Sequence, residues 1–211
     1  AELARIEDEE IKKIIAKQEQ VGLQSITDGE FRRSWWHFDF LKKLDGVEGY
    51  RAAAGIQFHG VQTRAEGLRV TKRVGFSGHP MIEHFKFLKA NVTQTPKMTI
   101  PSPSVLHFRG GRKDISKEVY PDLDGFFADL GRAYREVVKA FYDAGCRYLQ
   151  FDDTVWAYLC SKDELQKARE NWHQKMGKAA PDQSQVQPGT QAQPQPQAQD
   201  QQPGKERHNF M

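Results

Sequence analysis

The chain has 211 residues, and its 31 Lys and Arg against 28 Asp and Glu leave a net charge of +3. That is enough chain for one domain of ordinary size. The basic residues fall in small scattered groups (Arg32-Arg33, Lys42-Lys43, Arg109 to Lys113) rather than in the clustered, aromatic-interleaved face that nucleic acid requires. No apolar run approaches the roughly 18 residues a membrane helix needs, the N-terminus reads as a charged helix rather than a signal peptide, and two cysteines, Cys146 and Cys160, make no disulfide framework. A reducing, cytoplasmic compartment fits that usage.

In chain order, Ile11, Ile14 and Ile15 mark one face of a first helix, Gly22 stops it, and Leu23 to Thr27 reads as a strand. Asp28-Gly29-Glu30 follows where that strand runs out. An α/β fold should open with a strand, so the helical start leaves a first element unaccounted for. Phe31 to Phe40 then holds five aromatic residues and His37. Such density either plugs one end of a barrel or lines a pocket for a flat ligand.

Residues 41–75 look irregular, with short β-like pieces at Gly55 to Val61 and Leu68 to Phe76. Met81 to Ala90 reads as a helix with Ile82, Phe85 and Leu88 on one side, and Lys97 to Ile100 as a strand ending in Pro101-Ser102-Pro103-Ser104. A strongly amphipathic helix follows, with Leu123, Phe126, Phe127, Leu130, Tyr134, Val137, Val138 and Phe141 at three- and four-residue spacing. Asp122 suits its N-cap and Gly145 a left-handed C-terminal stop. Arg147 to Phe151 is a compact β-forming run, and Asp152-Asp153 stands at its end. A last helix begins near Val155 and runs towards Gln174.

The helix–Gly–strand–acid unit therefore occurs twice, which suggests parallel strands delivering carboxylates to one rim, the place where α/β folds put their chemistry. Four strands could be parallel, too few for a closed barrel of eight. From Pro181 to Lys205 the sequence is Gln, Pro, Ala, Ser and Gly with Val186 the one larger aliphatic residue, a composition that cannot offset its ordering entropy. The expected division is a partial (β/α) barrel over residues 1–175 and a disordered Gln/Pro-rich tail over 176–211.

Two stretches, Thr27-Asp28-Gly29-Glu30-Phe31-Arg32-Arg33 followed by Trp35 and Trp36, and Gln150-Phe151-Asp152-Asp153, carry a specific resemblance. Over about residues 5–170 the chain resembles the C-terminal barrel of cobalamin-independent methionine synthase, and more closely its shorter single-domain relatives. The resemblance implies a TIM-type barrel and a zinc-dependent transfer of a methyl group from a folate to homocysteine or a related thiol. By position Asp152 inherits the carboxylate that binds the amino group of homocysteine, and Glu30 a substrate contact. Asp28, Trp35, Trp36 and Asp153 fall beside them as substrate-binding candidates, with Asp153 where the family has Glu. Thr99 to Phe108 mirrors a strand and loop that put Phe108 where an aromatic residue stacks on the pterin, and Gly60 to Arg64 resembles a loop that brings Arg64 near the folate.

The family's zinc is held by a His-x-Cys pair, a carboxylate and a further Cys, all downstream of the Asp152 strand. Downstream here stand Cys160, His173 and His208 without a ligand spacing, and Cys160 reads as a small buried hydrophobe. Zinc is thus expected for the family while its ligands are not found in this chain. Two alternatives stay open: a metal-free barrel of the uroporphyrinogen-decarboxylase type, using Arg32, Arg33 and Arg64 for acidic side groups, and a non-enzymatic half-barrel that self-associates or pairs through exposed sheet edges.

Overall fold

A computed structural model describes residues 2–51, 57, 58, 61, 62 and 66–176. The chain divides into two units, 1–165 and 166–211. The expected disordered tail lies outside the described residues.

The fold starts with α1 (Glu2–Gln20), β1 (Ser25–Ile26), a short α2 (Phe38–Leu41) and β2 (Asp45–Arg51). Next come β3 (Gln57–Phe58), β4 (Val61–Gln62), β5 (Glu66–Gly75), α3 (Pro80–Asn91), β6 (Thr95–Pro101) and α4 (Ser104–Gly110). One 3-10 turn (Gly111–Asp114), α5 (Leu123–Asp143), β7 (Tyr148–Asp152), α6 (Val155–Leu159) and α7 (Lys162–Met176) complete it. Strands β1, β6 and β7 form a parallel sheet in that order, with Ser25 opposite Thr95 and Lys97 to Pro101 opposite Tyr148 to Asp152.

Three parallel strands are therefore present among the described residues rather than four, and no closed barrel forms among them. The segment that looked irregular in sequence pairs antiparallel instead, β2 with β5 and β3 with β4. Strand β2 was invisible because its Asp-Gly-Val-Glu-Gly-Tyr-Arg sequence buries only Val47 and carries two glycines, a poor β signature.

Helices α1 and α5 end on the same device. Gly22 (φ +85°) and Gly145 (φ +95°) take the left-handed position that L side chains avoid. Each N–H bonds back to a carbonyl (Glu19 O at 3.0 Å, Tyr142 O at 2.9 Å), and the next residue's N–H reaches one residue further back (Gln18 O at 3.1 Å, Phe141 O at 2.8 Å). Asp122 caps the start of α5, accepting from Gly125 N at 3.0 Å, and His79 caps α3 through Nδ1, which accepts from Met81 N at 3.1 Å.

Packing follows the pattern. Phe126, Leu130, Ala133, Tyr134, Val137 and Phe141 of α5 are buried with Met98 and Ile100 of β6 and with Met81 and Phe85 of α3. Two residues of the apolar stripe differ from expectation: Phe127 and Val138 lie on its margin and are exposed. A second cluster of Ile11, Ile15, Ile26 and Leu88 fastens α1 and β1 to α3. Tyr120 is fully buried and joins β5 to α5, its hydroxyl accepting from Val74 N at 2.7 Å and donating to Asp129 at 2.8 Å. Cys146 is the buried cysteine, and Cys160 is exposed at the end of α6, against the expectation that it packs inside. No helix among the described residues is long and apolar enough to cross a membrane.

Candidate active site

Both acidic loops lie at the C-terminal ends of parallel strands on either side of β6. In the first, Thr27 Oγ1 accepts from Gly29 N at 3.3 Å and Asp28 Oδ1 from Glu30 N at 3.0 Å, so two short side chains stand in for the backbone partners of a turn. Asp28 is buried and spends itself there. Gly29 has φ +64°, and a Cβ would lie 2.9 Å from the Phe31 ring and 3.1 Å from Ile14. Glu30 itself has φ +60°, unique among non-glycine described residues. A glutamate held in the left-handed region costs on the order of 1 kcal/mol or more and persists where surrounding structure over-determines it.

The held side chain is aimed at the sheet. Glu30 Oε1 accepts from Thr99 Oγ1 at 3.0 Å and from Arg33 Nη1 at 3.2 Å. Arg33 is almost fully buried, and its other nitrogen reaches Met98 Sδ at 3.3 Å. Oε2 accepts from no described residue, and Glu30 remains part-exposed. Arg32 turns the other way, bonding Asp8, lying 3.8 Å from Glu7 and covering the Phe87 ring at 4.6 Å. It pins the loop to α1 and α3.

On the other flank, Thr99 is directly opposite Gln150, and Pro101 opposite Asp152. Residues two apart on a strand share a face, so Gln150 and Asp152 project from the same side, and Gln150 Nε2 donates to Asp152 Oδ1 at 2.6 Å. Oδ2 of Asp152 accepts from no described residue. Asp153 is occupied by structure: its Oδ1 accepts from Ser104 Oγ and Val155 N, both at 3.1 Å, and so ties β7 to α4 and α6. Ser102 N donates to Asp152 O at 3.1 Å across the strand ends.

The structure thus brings Glu30 and Asp152 to the C-terminal end of one sheet, with Thr99 and Gln150 between them. Trp35 and Trp36 are half-buried against the main core around the fully buried His37, their centroids 6.0 and 4.5 Å from its ring. Phe108 lies on α4, 41% exposed, 5.2 Å from Tyr158 of α6. Arg64 lies outside the described residues. Sequence reasoning missed Thr99 and Gln150, although Gln150 sits two positions before Asp152, the spacing that puts both on one face. Among the described residues no three His, Cys, Asp or Glu side chains converge as metal ligands, and burial pushes the Cys146 thiol pKa up, away from the thiolate a metal would need.

No protein-family model matches the chain. It is 51% identical over 168 residues to the uncharacterized protein YxjG of Bacillus subtilis (strain 168), covering 79% of this chain and 44% of that protein. YxjH of the same organism is 50% identical over 157 residues, 74% of this chain and 41% of that one. A methionine synthase of Pyrococcus abyssi (strain GE5 / Orsay) is 25% identical over 178 residues, 80% and 49% of the two chains. The chain spans about half the length of these curated relatives.

Among solved structures, a Listeria monocytogenes protein provisionally named a vitamin-B12 independent methionine synthase superposes with TM-score 0.63 at 44% identity, over 85% of this chain and 52% of that one. A B12-independent methionine synthase of Shewanella sp. W3-18-1, in complex with selenomethionine, superposes with TM-score 0.54 at 20% identity, over 69% and 41%, a likeness of fold. The structural neighbours of this chain are B12-independent methionine synthase-like proteins, and its mixed α/β architecture is theirs.

Proposed function

We propose that this chain is the amino-acid-gripping part of an S-methyltransferase of the methionine-synthase type, built as a partial (β/α) barrel and working in the cytoplasm. The observation that carries the reading is the pair Glu30 and Asp152, each with one oxygen held by the protein and the other directed at no described group. A free carboxylate oxygen accepts a charge-assisted hydrogen bond from an α-ammonium group, about twice as strong as a neutral one. Two such oxygens flanking one strand suit a single ammonium or an ammonium and the group beside it. Phe108 and Tyr158 offer the aromatic surface that a flat, folate-type methyl donor would stack against.

The described residues do not fit a zinc site, so no step here runs through a metal. The role assigned to this chain is binding and orienting the thiol amino acid, with complete methyl transfer belonging to a longer assembly. A decarboxylase-type site is disfavoured because Arg32 and Arg33 are already engaged by Asp8, Glu30 and Met98 rather than turned to an open cavity.

Calorimetry with L-homocysteine under reducing conditions, beside 4-mercaptobutanoic acid, tests the reading. The second ligand keeps the thiol and carboxyl groups but lacks the ammonium. Binding of homocysteine at least tenfold tighter supports it; equal affinity, or no binding of either, overturns it.

A further inference from the structure

We infer that Thr99 and Gln150 are positioning residues that hold the two site carboxylates in their receiving orientation. The inference rests on the amino-acid-gripping role proposed above and extends it to two residues that do not touch the substrate themselves.

Thr99 and Gln150 are direct partners on one rung of the β6/β7 ladder, about 4.8 Å apart as neighbouring strands are. Glu30 reaches this rung from the loop after β1, and Asp152 sits one side-chain repeat above it on β7. Each carboxylate receives its bond on a single oxygen: Thr99 Oγ1 to Glu30 Oε1 at 3.0 Å, and Gln150 Nε2 to Asp152 Oδ1 at 2.6 Å. The hydroxyl and the amide are not needed by the backbone, whose ladder bonds are made by β1, β6 and β7. A half-buried strand position also favours an apolar residue unless its polar group is satisfied.

The consequence is geometric. A carboxylate fixed at one oxygen has its second oxygen set in a definite plane. The orientation a ligand's ammonium must find is then already present, and the ordering cost of binding falls. Arg33 adds a second donor to the same Glu30 oxygen at 3.2 Å and leaves the free one untouched. A neutral donor from each of the two strands also holds its own carboxylate without placing a second cation between them, which would compete with the substrate's own.

The test uses the full chain and L-selenomethionine as the probe, by calorimetry, with four variants. Thr99→Val keeps shape and β-propensity but removes the hydroxyl, and Thr99→Ser restores it. Gln150→Met keeps length without the amide, and Gln150→Glu places a like charge beside Asp152. The inference predicts that Thr99→Val and Gln150→Met each weaken binding roughly tenfold, that Gln150→Glu weakens it further, and that Thr99→Ser stays within about threefold of wild type.

Unchanged affinity in Thr99→Val and Gln150→Met overturns it, as does a loss in Thr99→Ser equal to that in Thr99→Val, which would reveal a purely packing role. A ligand-free readout separates the failure of this inference from failure of the proposed function. The Glu30 side-chain carboxyl resonance, in carbon-13-labelled protein, should move in Thr99→Val and return in Thr99→Ser. If wild type binds no selenomethionine, the gripping role fails and this resonance alone decides whether Thr99 holds Glu30: displacement with serine rescue supports it, no displacement overturns it.

Discussion

The two acidic loops of this molecule are built to opposite standards. From Thr27 to Arg33 nearly every polar group is tied: two side chains close the turn, Arg32 is clamped to α1 and α3, and Arg33 is buried against Glu30 and Met98. From Gln150 to Leu159 the chain is open. Strand β7 is an edge of the three-stranded sheet, with Tyr148 and Phe151 exposed, and Trp156 (62%), Tyr158 and Leu159 of α6 extend the apolar surface beside it. The closed loop can store the strain of a left-handed glutamate, whereas the open edge leaves Asp152 beside exposed apolar surface.

The largest expected effects fall on the closed side. Gly29→Val places a β-branched residue at φ +64° with contacts near 2.9 Å and should lower unfolding free energy by about 3 kcal/mol, read by urea denaturation. A change under about 1 kcal/mol would show that the loop relaxes easily and that the strain at Glu30 is not locked in.

Acid should destabilise the protein nearly as much, through the cap of α3. The His79 pKa is lowered to about 4 because burial outweighs the opposing hydrogen bond to Phe40 O, with smaller lowering contributions from His84, Lys43 and Arg33. Its Nδ1 accepts from Met81 N and its Nε2 donates to Phe40 O at 3.1 Å, the neutral tautomer. An unfolded histidine takes its proton near pH 6.5, so the unfolded state binds more protons between 6.5 and 4. The stability from neutral His79 is full above pH 6.5 and is lost as pH falls towards 4, in total on the order of 3 kcal/mol. His79→Asn, which keeps an N-cap acceptor, should flatten that pH dependence in urea melts taken at steps between 7 and 4.

Arg32→Ala removes the clamp to Asp8, Glu7 and the Phe87 face and should cost about 2 kcal/mol by thermal or urea unfolding. The smallest effect on stability belongs to the open edge. Trp156→Ser and Tyr158→Ser should change it by less than about 0.5 kcal/mol, yet reduce self-association in light scattering if the exposed aromatic surface drives it. A large stability loss there would mean that α6 is packed as tightly as the first loop, and the contrast would disappear.

Much of this was legible in the sequence, and the reasons are specific. The stripe of α5, the Asp122 cap and the Gly22 and Gly145 stops rest on interactions within a few residues, so the chain declares them locally. The same holds for the Asp28-Gly29-Glu30 turn. What was hidden depends on pairing at long range. The register that sets Thr99 against Gln150, the antiparallel β2/β5 pair and the reach of Glu30 to Thr99, 69 residues on, follow from assembly rather than from any window of sequence. The exposure of Cys160, Phe127 and Val138 was misread for a related reason: apolar character marks a candidate for burial, and only the placement of neighbouring elements decides which candidates are covered.

The most direct measurement is a double-mutant cycle of Glu30→Gln and Asp152→Asn, read as L-selenomethionine affinity by calorimetry. If both side chains face one cavity and grip one ammonium-bearing ligand, each single change weakens binding at least tenfold and the double variant loses clearly less than the product of the two. Fully independent losses, or affinity that neither substitution alters, would contradict a shared site.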